Sequence, residues 1–297
     1  MEWKRDWGLT ARCWFTGLLL VLLYIVFMLV LLVLFPSLNA IFFIALAVII
    51  GLFQYFFSDK LVLWSTGSRI IEDDEYPELH RMVEKLCKEA DLPKPKIAIM
   101  THPMPNAFAT GRSPSHAVVA CTDSIMRLLT REELEAVLAH ELAHVKNRDI
   151  LTMTLASFIT MIASYMMNSF LFSALFGGND REGNIVGAIA VLVMSIIVYI
   201  LSTILIMAIS RYREYAADRG SAQITRNPRA LISALSKISG RIDVLPNEVK
   251  EPVAGANAFY IIPASTKNFL AELFSTHPPL EKRIANLQKV EAELRGY

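Results

Sequence analysis

A chain of 297 residues is long enough for two average domains, yet 54% of it is apolar, 19% is charged and its mean hydropathy is +0.42, against about 25% charged residues in a soluble domain. This balance excludes an ordinary soluble protein and predicts a membrane-embedded one. The 29 basic and 28 acidic residues nearly cancel, so no basic field marks nucleic acid as a partner. Cys13, Cys87 and Cys121 are widely separated and form no C-x-x-C pair, which excludes a disulfide framework and a thiolate zinc site and predicts reduced, mostly buried thiols.

The run from Cys13 to Ser58 carries no charge and is broken only by F-P-S-L-N around Pro36. Each half, Trp14 to Phe35 and Leu38 to Phe57, has about the 20 residues that cross roughly 30 Å of hydrocarbon, and the turn is too short for anything but a hairpin. A cleaved signal peptide fits poorly, because its apolar core would be only about 7–15 residues long. Two later windows, Ile150 to Asn179 and Gly183 to Ser210, are also charge-free and long enough to span. The first carries several Ser and Thr, among them Thr152, Thr154 and Ser157, which suit a transmembrane bundle or, alternatively, a buried soluble helix pair. Lys4, Arg5 and Arg12 precede the first span and Lys60 and Arg69 follow the second, while the turn at Pro36 has no basic residue. Lys146 and Arg148, then Arg211 and Arg213, flank the second hairpin in the same way. Both termini and every sizeable polar block are therefore expected on the cytosolic side of a cell (inner or plasma) membrane.

The expected division is a transmembrane hairpin at 1–58, a first catalytic part at 59–149, a second hairpin at 150–210 and a second catalytic part at 211–297. In the first part, Leu79, Met82, Val83 and Leu86 recur at helical spacing until D-L-P-K-P stops the helix. The β-rich stretches K-I-A-I-M, N-A-F-A-T-G and H-A-V-V-A-C-T follow, the last two separated by the hairpin-like G-R-S-P-S. In the second part, Asn227 and Pro228 read as a helix start, 240–266 as a long loop, and Leu280, Ile284, Leu287 and Leu294 as the inner stripe of a last helix opening at Pro278 or Pro279. The fold class expected is mainly α: a multi-pass membrane protein whose helical hairpins carry a cytosolic α+β domain with a small β-sheet.

The strongest local signal is H-E-L-A-H at 140–144, which chance rarely produces in a chain with 6 His. Thr130 and Glu133 form a capping box, and the helix it opens would bury Leu134, Leu138, Leu142 and Val145. His140 and His144, at i and i+4, then project together from the other side, close enough to share one tetrahedral Zn2+, with Glu141 beside them. A hydrolytic zinc site needs a third protein ligand and an open position for water. A metzincin would supply it as H-x-x-G-x-x-H, but Asn147 and Ile150 stand at those places, so that class is excluded. The best candidate is Glu214 in R-Y-R-E-Y-A-A-D, one helical turn before Asp218, which is then set to accept the outer N–H of a ligand histidine, His140 being favoured. The alternative for Glu214 is a surface ion pair with Arg211 or Arg213. His80, His102 and His116 lack motif spacing and read as surface or loop residues, held in reserve as ligands.

These pieces resemble the HtpX-type membrane zinc metalloproteases, distant relatives of the prenyl-protein endopeptidases, over nearly the whole chain. The matching segments are P-N-A-F-A-T-G at 105–111, E-E-L-E-A-V-L-A-H-E-L-A-H at 132–144, R-E-Y-A-A-D at 213–218 and T-H-P-P-L-E-K-R-I at 276–284. The resemblance implies a gluzincin-like (zincin) catalytic fold, one Zn2+, Glu141 as general base, Glu214 as third ligand, and a role in stress response and membrane-protein quality control. It further implies a substrate-binding edge strand at Asn106, Ala107, Phe108 and Ala109, whose alternative is an ordinary hairpin. His277 lies in a matching segment and is expected to reach the site as an oxyanion donor, with helix capping as the alternative; Arg283 is expected to anchor the last helix near a carboxylate.

The expected activity is a zinc metalloendopeptidase anchored in the lipid bilayer and acting on unfolded or membrane-protein substrates, misfolded or damaged, on the cytosolic side. Zinc would polarise a water, Glu141 would take its proton, and the extended substrate would add as a strand. An intramembrane protease is disfavoured by the charges in T-R-E-E-L-E and V-K-N-R-D at the ends of the motif helix. A prenyl-protein endopeptidase would need an enclosed chamber, for which four spans are too few. A non-enzymatic scaffold or transporter with a structural metal would call for four Cys-rich ligands.

Overall fold

Apolar side chains on every face suit the first two helices to lipid, and α1 (Trp7–Leu34) and α2 (Ala40–Ser65) follow the two expected spans. The computed structural model describes residues 6–34, 40–149, 152–153, 185–246 and 275–296. The turn at Pro36, nearly all of the window 150–179, the tip of the second hairpin and residues 247–266 of the expected loop lie outside the described residues. α1 starts ahead of Trp14, because Asp6 caps it: its Oδ1 accepts the Leu9 N–H at 3.0 Å. Trp14, Phe15, Leu18, Leu52 and Phe53 are exposed, as suits side chains that meet acyl chains rather than water. Among the described residues two helices are long and apolar enough to cross a membrane, with spans at Trp7–Phe27 and Leu192–Thr225. A third is possible if the pair Val48–Phe57 and Asp59–Ser65, bent by 61°, counts as one.

Beyond that bend the chain enters a four-stranded sheet, with β1 (Arg69–Ile70), β2 (Lys96–Met100), β3 (Ala107–Thr110) and β4 (Val118–Thr122) in the order β1-β2-β4-β3. β4 pairs parallel with β2 and antiparallel with β3, so β3 is an edge. Strict alternation divides the side chains: Ala98, Met100, Phe108, Val118 and Ala120 pack under Val62 of α2. Ile97, Ile99, Ala107, Val119 and Cys121 face the helices. β4 is buried at all five positions because both faces of the sheet are covered. The β3–β4 loop contains Gly111 at φ +119, where a Cβ would lie 2.2 Å from the His116 carbonyl oxygen; only glycine fits there.

The helical layer comprises α3 (Pro77–Ala90), α4 (Asp123–Leu128), α5 (Arg131–Asn147), α6 (Ile185–Thr225), α7 (Pro228–Asp243) and α8 (Leu280–Arg295). One core joins Leu86 of α3, Leu138 and Leu142 of α5, Ala222 of α6, Leu231 and Leu235 of α7 and Leu287 of α8. Asn227 caps α7 by accepting the Ala230 N–H at 3.2 Å.

Several expectations change. The proposed loop at 240–266 begins later, since α7 runs to Asp243. The inner stripe of α8 is Arg283, Leu287 and Val290, with Leu294 exposed; the helix turns to bring Arg283 to a buried partner. His80 is a buried residue of α3 rather than a surface one, its Nδ1 3.0 Å from Asp73. Cys87 and Cys121 are buried free thiols, Cys13 only partly so; burial pushes Cys87 up to about 11 and Cys121 to about 12.

Candidate active site

The site is assembled where α5 and α6 lie side by side. The α5 capping box forms as the sequence dictates: Thr130 Oγ1 accepts the Glu133 N–H at 3.4 Å and Glu133 accepts the Thr130 N–H at 2.9 Å. Glu133 also receives Ser233 at 2.6 Å and Lys237 at 2.8 Å, which ties the start of α5 to α7. Leu134, Leu138, Leu142 and Val145 go into the core. The opposite face approaches α6 closely because Ala136, Ala139, Ala143 and Ala217 are small and fully buried, and Ser221 Oγ donates to the Ala136 carbonyl at 2.6 Å.

His140 and His144 direct their Nε2 atoms at each other, 3.2 Å apart. Glu214 comes in from α6, with Oε1 3.3 Å from His144 Nε2 and Oε2 3.5 Å from His140 Nε2. Among the described residues these form the one group of three or more His, Cys, Asp or Glu able to hold a metal, all donor atoms lying within 4.8 Å of one another. Each imidazole turns its Nδ1 to a carboxylate: His140 to Asp218 at 3.1 Å, His144 to Asp149 at 2.6 Å. A ring that keeps its proton on Nδ1 has a lone pair on Nε2. Two such lone pairs facing each other over a carboxylate repel unless a cation lies between them.

The charges agree with a divalent cation. Asp218 is matched by Arg283, whose Nε and Nη2 donate to its two oxygens at 3.0 and 2.6 Å. Asp149 is matched by Arg213, 3.0 Å away. Glu214 and Glu141 remain, two negative charges beside two neutral rings. Burial pushes His144 down, but its hydrogen bonds to Asp149 and Glu214 outweigh this and raise it to about 10. His140 is likewise raised, burial being overcome by Asp218 and Glu214. The field that would hold protons on these rings is the field that attracts a metal ion.

Glu141 is buried beside the pair, and burial pushes its carboxyl above the usual carboxylate range, against His140, His144 and the backbone N–H of Ala109. That N–H belongs to β3, the edge strand. The Thr122 N–H donates to the Asn106 carbonyl at 2.9 Å. Alternation along the antiparallel pair then turns the main-chain groups of Phe108 and Thr110 toward β4 and those of Ala107 and Ala109 to the unpaired edge, where the Ala109 N–H meets Glu141. Asn106 is buried at the start of the strand, its N–H given to Thr122 Oγ1 at 2.9 Å.

His277 is 6% exposed and its Nδ1 lies 3.0 Å from Glu214 Oε2. The preceding residue pair is held from α6, where Arg211 donates to the Ser275 carbonyl at 2.9 Å. Arg283 is 1% exposed, and beyond its grip on Asp218 its Nη1 is 3.5 Å from Glu214. The site thus gathers His140, Glu141, His144, Glu214, Asp218, His277 and Arg283, with the strand 107–110 alongside. His102 and His116 stay outside it. The alternative partner for Glu214 is corrected: Arg213 pairs with Asp149, and Glu214 is buried. Asp149 and Arg213 are not legible from motif spacing, since residue i+5 of a helix points away from residue i.

The comparisons with known proteins bear on this geometry. The model of peptidase family M48 matches residues 73–291. The chain is 50% identical over 297 residues to Protease HtpX homolog 2 of Methanosarcina acetivorans, covering 99% of each. It is 50% identical over 293 residues to the Protease HtpX homolog of Moorella thermoacetica, covering 97% of this chain and 96% of that one. The crystal structure of S. mikatae Ste24p has the same fold, with a TM-score of 0.57 at 18% identity over 93% of this chain and 67% of that one. A family model spanning most of the chain, and relatives identical at half their positions from end to end, carry one conclusion: this chain belongs to peptidase family M48, among its HtpX-type members, and is a membrane metalloprotease.

Proposed function

We propose that the protein is a zinc endopeptidase that cleaves misfolded or damaged membrane proteins at the cytosolic face of the cell membrane. The observation that carries the reading is the pair of imidazole Nε2 atoms, 3.2 Å apart and flanked by Glu214, with Glu141 between them and the open edge of β3. Two histidines and a glutamate are the donor set of a hydrolytic zinc site, and no cysteine stands among them to close a structural one. Zinc held by them supplies Lewis acidity, making a water acidic at neutral pH and polarising the scissile carbonyl.

The chain's own groups do the rest. Glu141, its proton affinity raised by burial, takes the proton of the attacking water and returns it to the leaving amine. A substrate strand added to β3 bonds to the main chain of Ala107 and Ala109, which releases the Ala109 N–H from Glu141 and frees the carboxylate as the substrate arrives. Recognition through the backbone makes cleavage tolerant of sequence, as suits damaged proteins. His277, with Nδ1 toward Glu214 and Nε2 without a partner among the described residues, contributes Nε2–H to the developing oxyanion. Asp218 holds His140, and Arg283 holds Asp218. The Lys and Arg residues flanking the apolar segments support the cytosolic orientation.

The half-identical relatives carry the protease HtpX name, whereas the likeness to Ste24p concerns fold, so quality control is preferred to prenyl-protein processing. The test is to incubate detergent-purified protein with an unfolded substrate and compare wild type, chelator-treated and Glu141→Gln samples. Cleavage by wild type alone supports the reading; equal cleavage by all three sinks it.

A further inference from the structure

The carboxylate behind His144 stands in an unusual place. Residue i+5 of a continuous helix lies about 140° round the axis from residue i, so Asp149 would point away from His144 had α5 run on. It does not, because Arg148 adopts the left-handed conformation at φ 55, ψ 42, its N–H closing the helix on the His144 and Val145 carbonyls. A non-glycine residue in that region costs about 1–2 kcal/mol. The turn folds Asp149 back onto the ring it would otherwise miss, with Oδ2 2.6 Å from His144 Nδ1. Asp149 is 4% exposed, so this is no solvated ion pair. Its other oxygen, Oδ1, is 3.0 Å from Arg213 Nε, and Arg213 is the residue before Glu214. Neighbouring residues of α6 therefore hold opposite sides of His144: Glu214 meets Nε2, and Arg213 braces the carboxylate on Nδ1.

We propose that Asp149 is a positioning residue for the metal site, fixing the tautomer and tilt of His144, and that Arg213 sets the orientation of Asp149 from the transmembrane helix. His140 is held by Asp218 and Arg283; His144 is held by Asp149 and Arg213. Each ligand histidine has its own carboxylate and each carboxylate its own guanidinium. The inference rests on the metal-site reading above and adds to it a second support drawn from the end of the zinc helix.

The test is zinc affinity of the full chain in detergent, measured by competition with a chromophoric chelator, with melting of the metal-free protein recorded alongside. Asp149→Ala should weaken zinc roughly 10–100-fold, the usual effect of losing such an outer partner. Asp149→Asn keeps an acceptor for Nδ1–H and should lose less. Cobalt-loaded Asp149→Asn should show altered visible absorption bands, which a merely structural role would not move. Affinity within threefold of wild type in both variants, with Glu214→Ala losing zinc, would overturn the inference, whatever happens to the melting temperature. If Asp149→Ala does not fold, Asp149→Asn alone decides by the same criterion. If His144→Ala and Glu214→Ala both bind zinc like wild type, the metal-site reading itself is wrong, a result the Asp149 variants cannot mimic.

Discussion

Arg283 is the most deeply buried cation described, 1% exposed, and its removal tests how the site is held together. Arg283→Met keeps the length of the side chain and deletes the guanidinium. Asp218, 0% exposed, then loses donors at 3.0 and 2.6 Å and retains only His140, while Glu214 loses a positive neighbour at 3.5 Å. Breaking a buried pair from one side costs about 3–5 kcal/mol, because the remaining charge is left uncompensated. In the folding equilibrium that is roughly two to nearly four orders of magnitude. It corresponds to a fall of about 6–20 °C in the melting temperature of a domain of 150–250 residues. The assay is thermal unfolding of the metal-free protein in detergent, with Asp218→Asn and the double variant completing a cycle. The double variant should recover a large part of the loss, since a neutral amide no longer needs the guanidinium. A shift below about 2 °C for Arg283→Met, or a double variant as unstable as the sum of the singles, would refute the reasoning.

Four further outcomes are expected. Glu141→Gln should retain metal and lose roughly 10²–10⁴ in cleavage rate, as measured by peptide turnover beside metal analysis. Burial raises the Glu141 pKa above 4.5, so its ionised form opposes folding: the strain is absent below 4.5 and grows as pH rises through the raised value. Metal-free Glu141→Gln should therefore melt no lower than metal-free wild type at neutral pH, and any advantage it holds there should vanish below pH 4.5. The last helix starts at Leu280 with Pro279 as its N-cap and no side-chain cap, so His277 does not cap it. His277→Ala should keep zinc but lose roughly 10²–10³ in turnover; loss of metal, or unchanged turnover, would favour a structural role through its contact with Glu214. Gly111→Ala forces a left-handed residue against the His116 carbonyl and should cost about 1–3 kcal/mol in melting experiments, with reduced cleavage because the turn aligns the β3 edge. Cysteine at position 37 should label from outside intact cells and cysteine at position 112 or 286 only after lysis; the reverse pattern would invert the proposed orientation.

The local features of the site were legible in the sequence because they depend on short-range geometry. H-E-L-A-H places two imidazoles one turn apart on any α-helix, Thr130 and Glu133 close a capping box across three residues, and Asn227 before Pro228 caps α7. Features set by distant partners were less so. The two-residue β1 has no periodicity to detect, and the insertion of β4 between β2 and β3 is a matter of non-local pairing. The stripe on α8 was misjudged at Leu294 because hydrophobicity alone does not report that Arg283 must face inward to neutralise Asp218. His80 was misjudged for a related reason, a polar ring being admitted to the interior beside Asp73. Asp149 was hidden by a backbone conformation: helical spacing directs it away from His144, and only the left-handed Arg148 reverses that.

The division of labour on α6 connects the membrane to the chemistry. Its 41 residues extend about 60 Å, twice the hydrocarbon thickness of a bilayer. The charge-free stretch ends at Ser210, where Leu20 of α1 packs on Ile206 and Ile209, and the same helix continues into the catalytic core. Glu214 follows Ser210 by about 6 Å of helical rise, comparable with the roughly 5–7 Å of headgroup layer on each side of the hydrocarbon. In the proposed orientation the metal site therefore sits at the depth of the headgroups rather than out in the cytosol. On the proposed function, an extended segment leaving the bilayer would meet the edge of β3 close to the lipid, and the placement of Glu214 one turn beyond the charge-free stretch would favour membrane proteins as substrates by proximity alone.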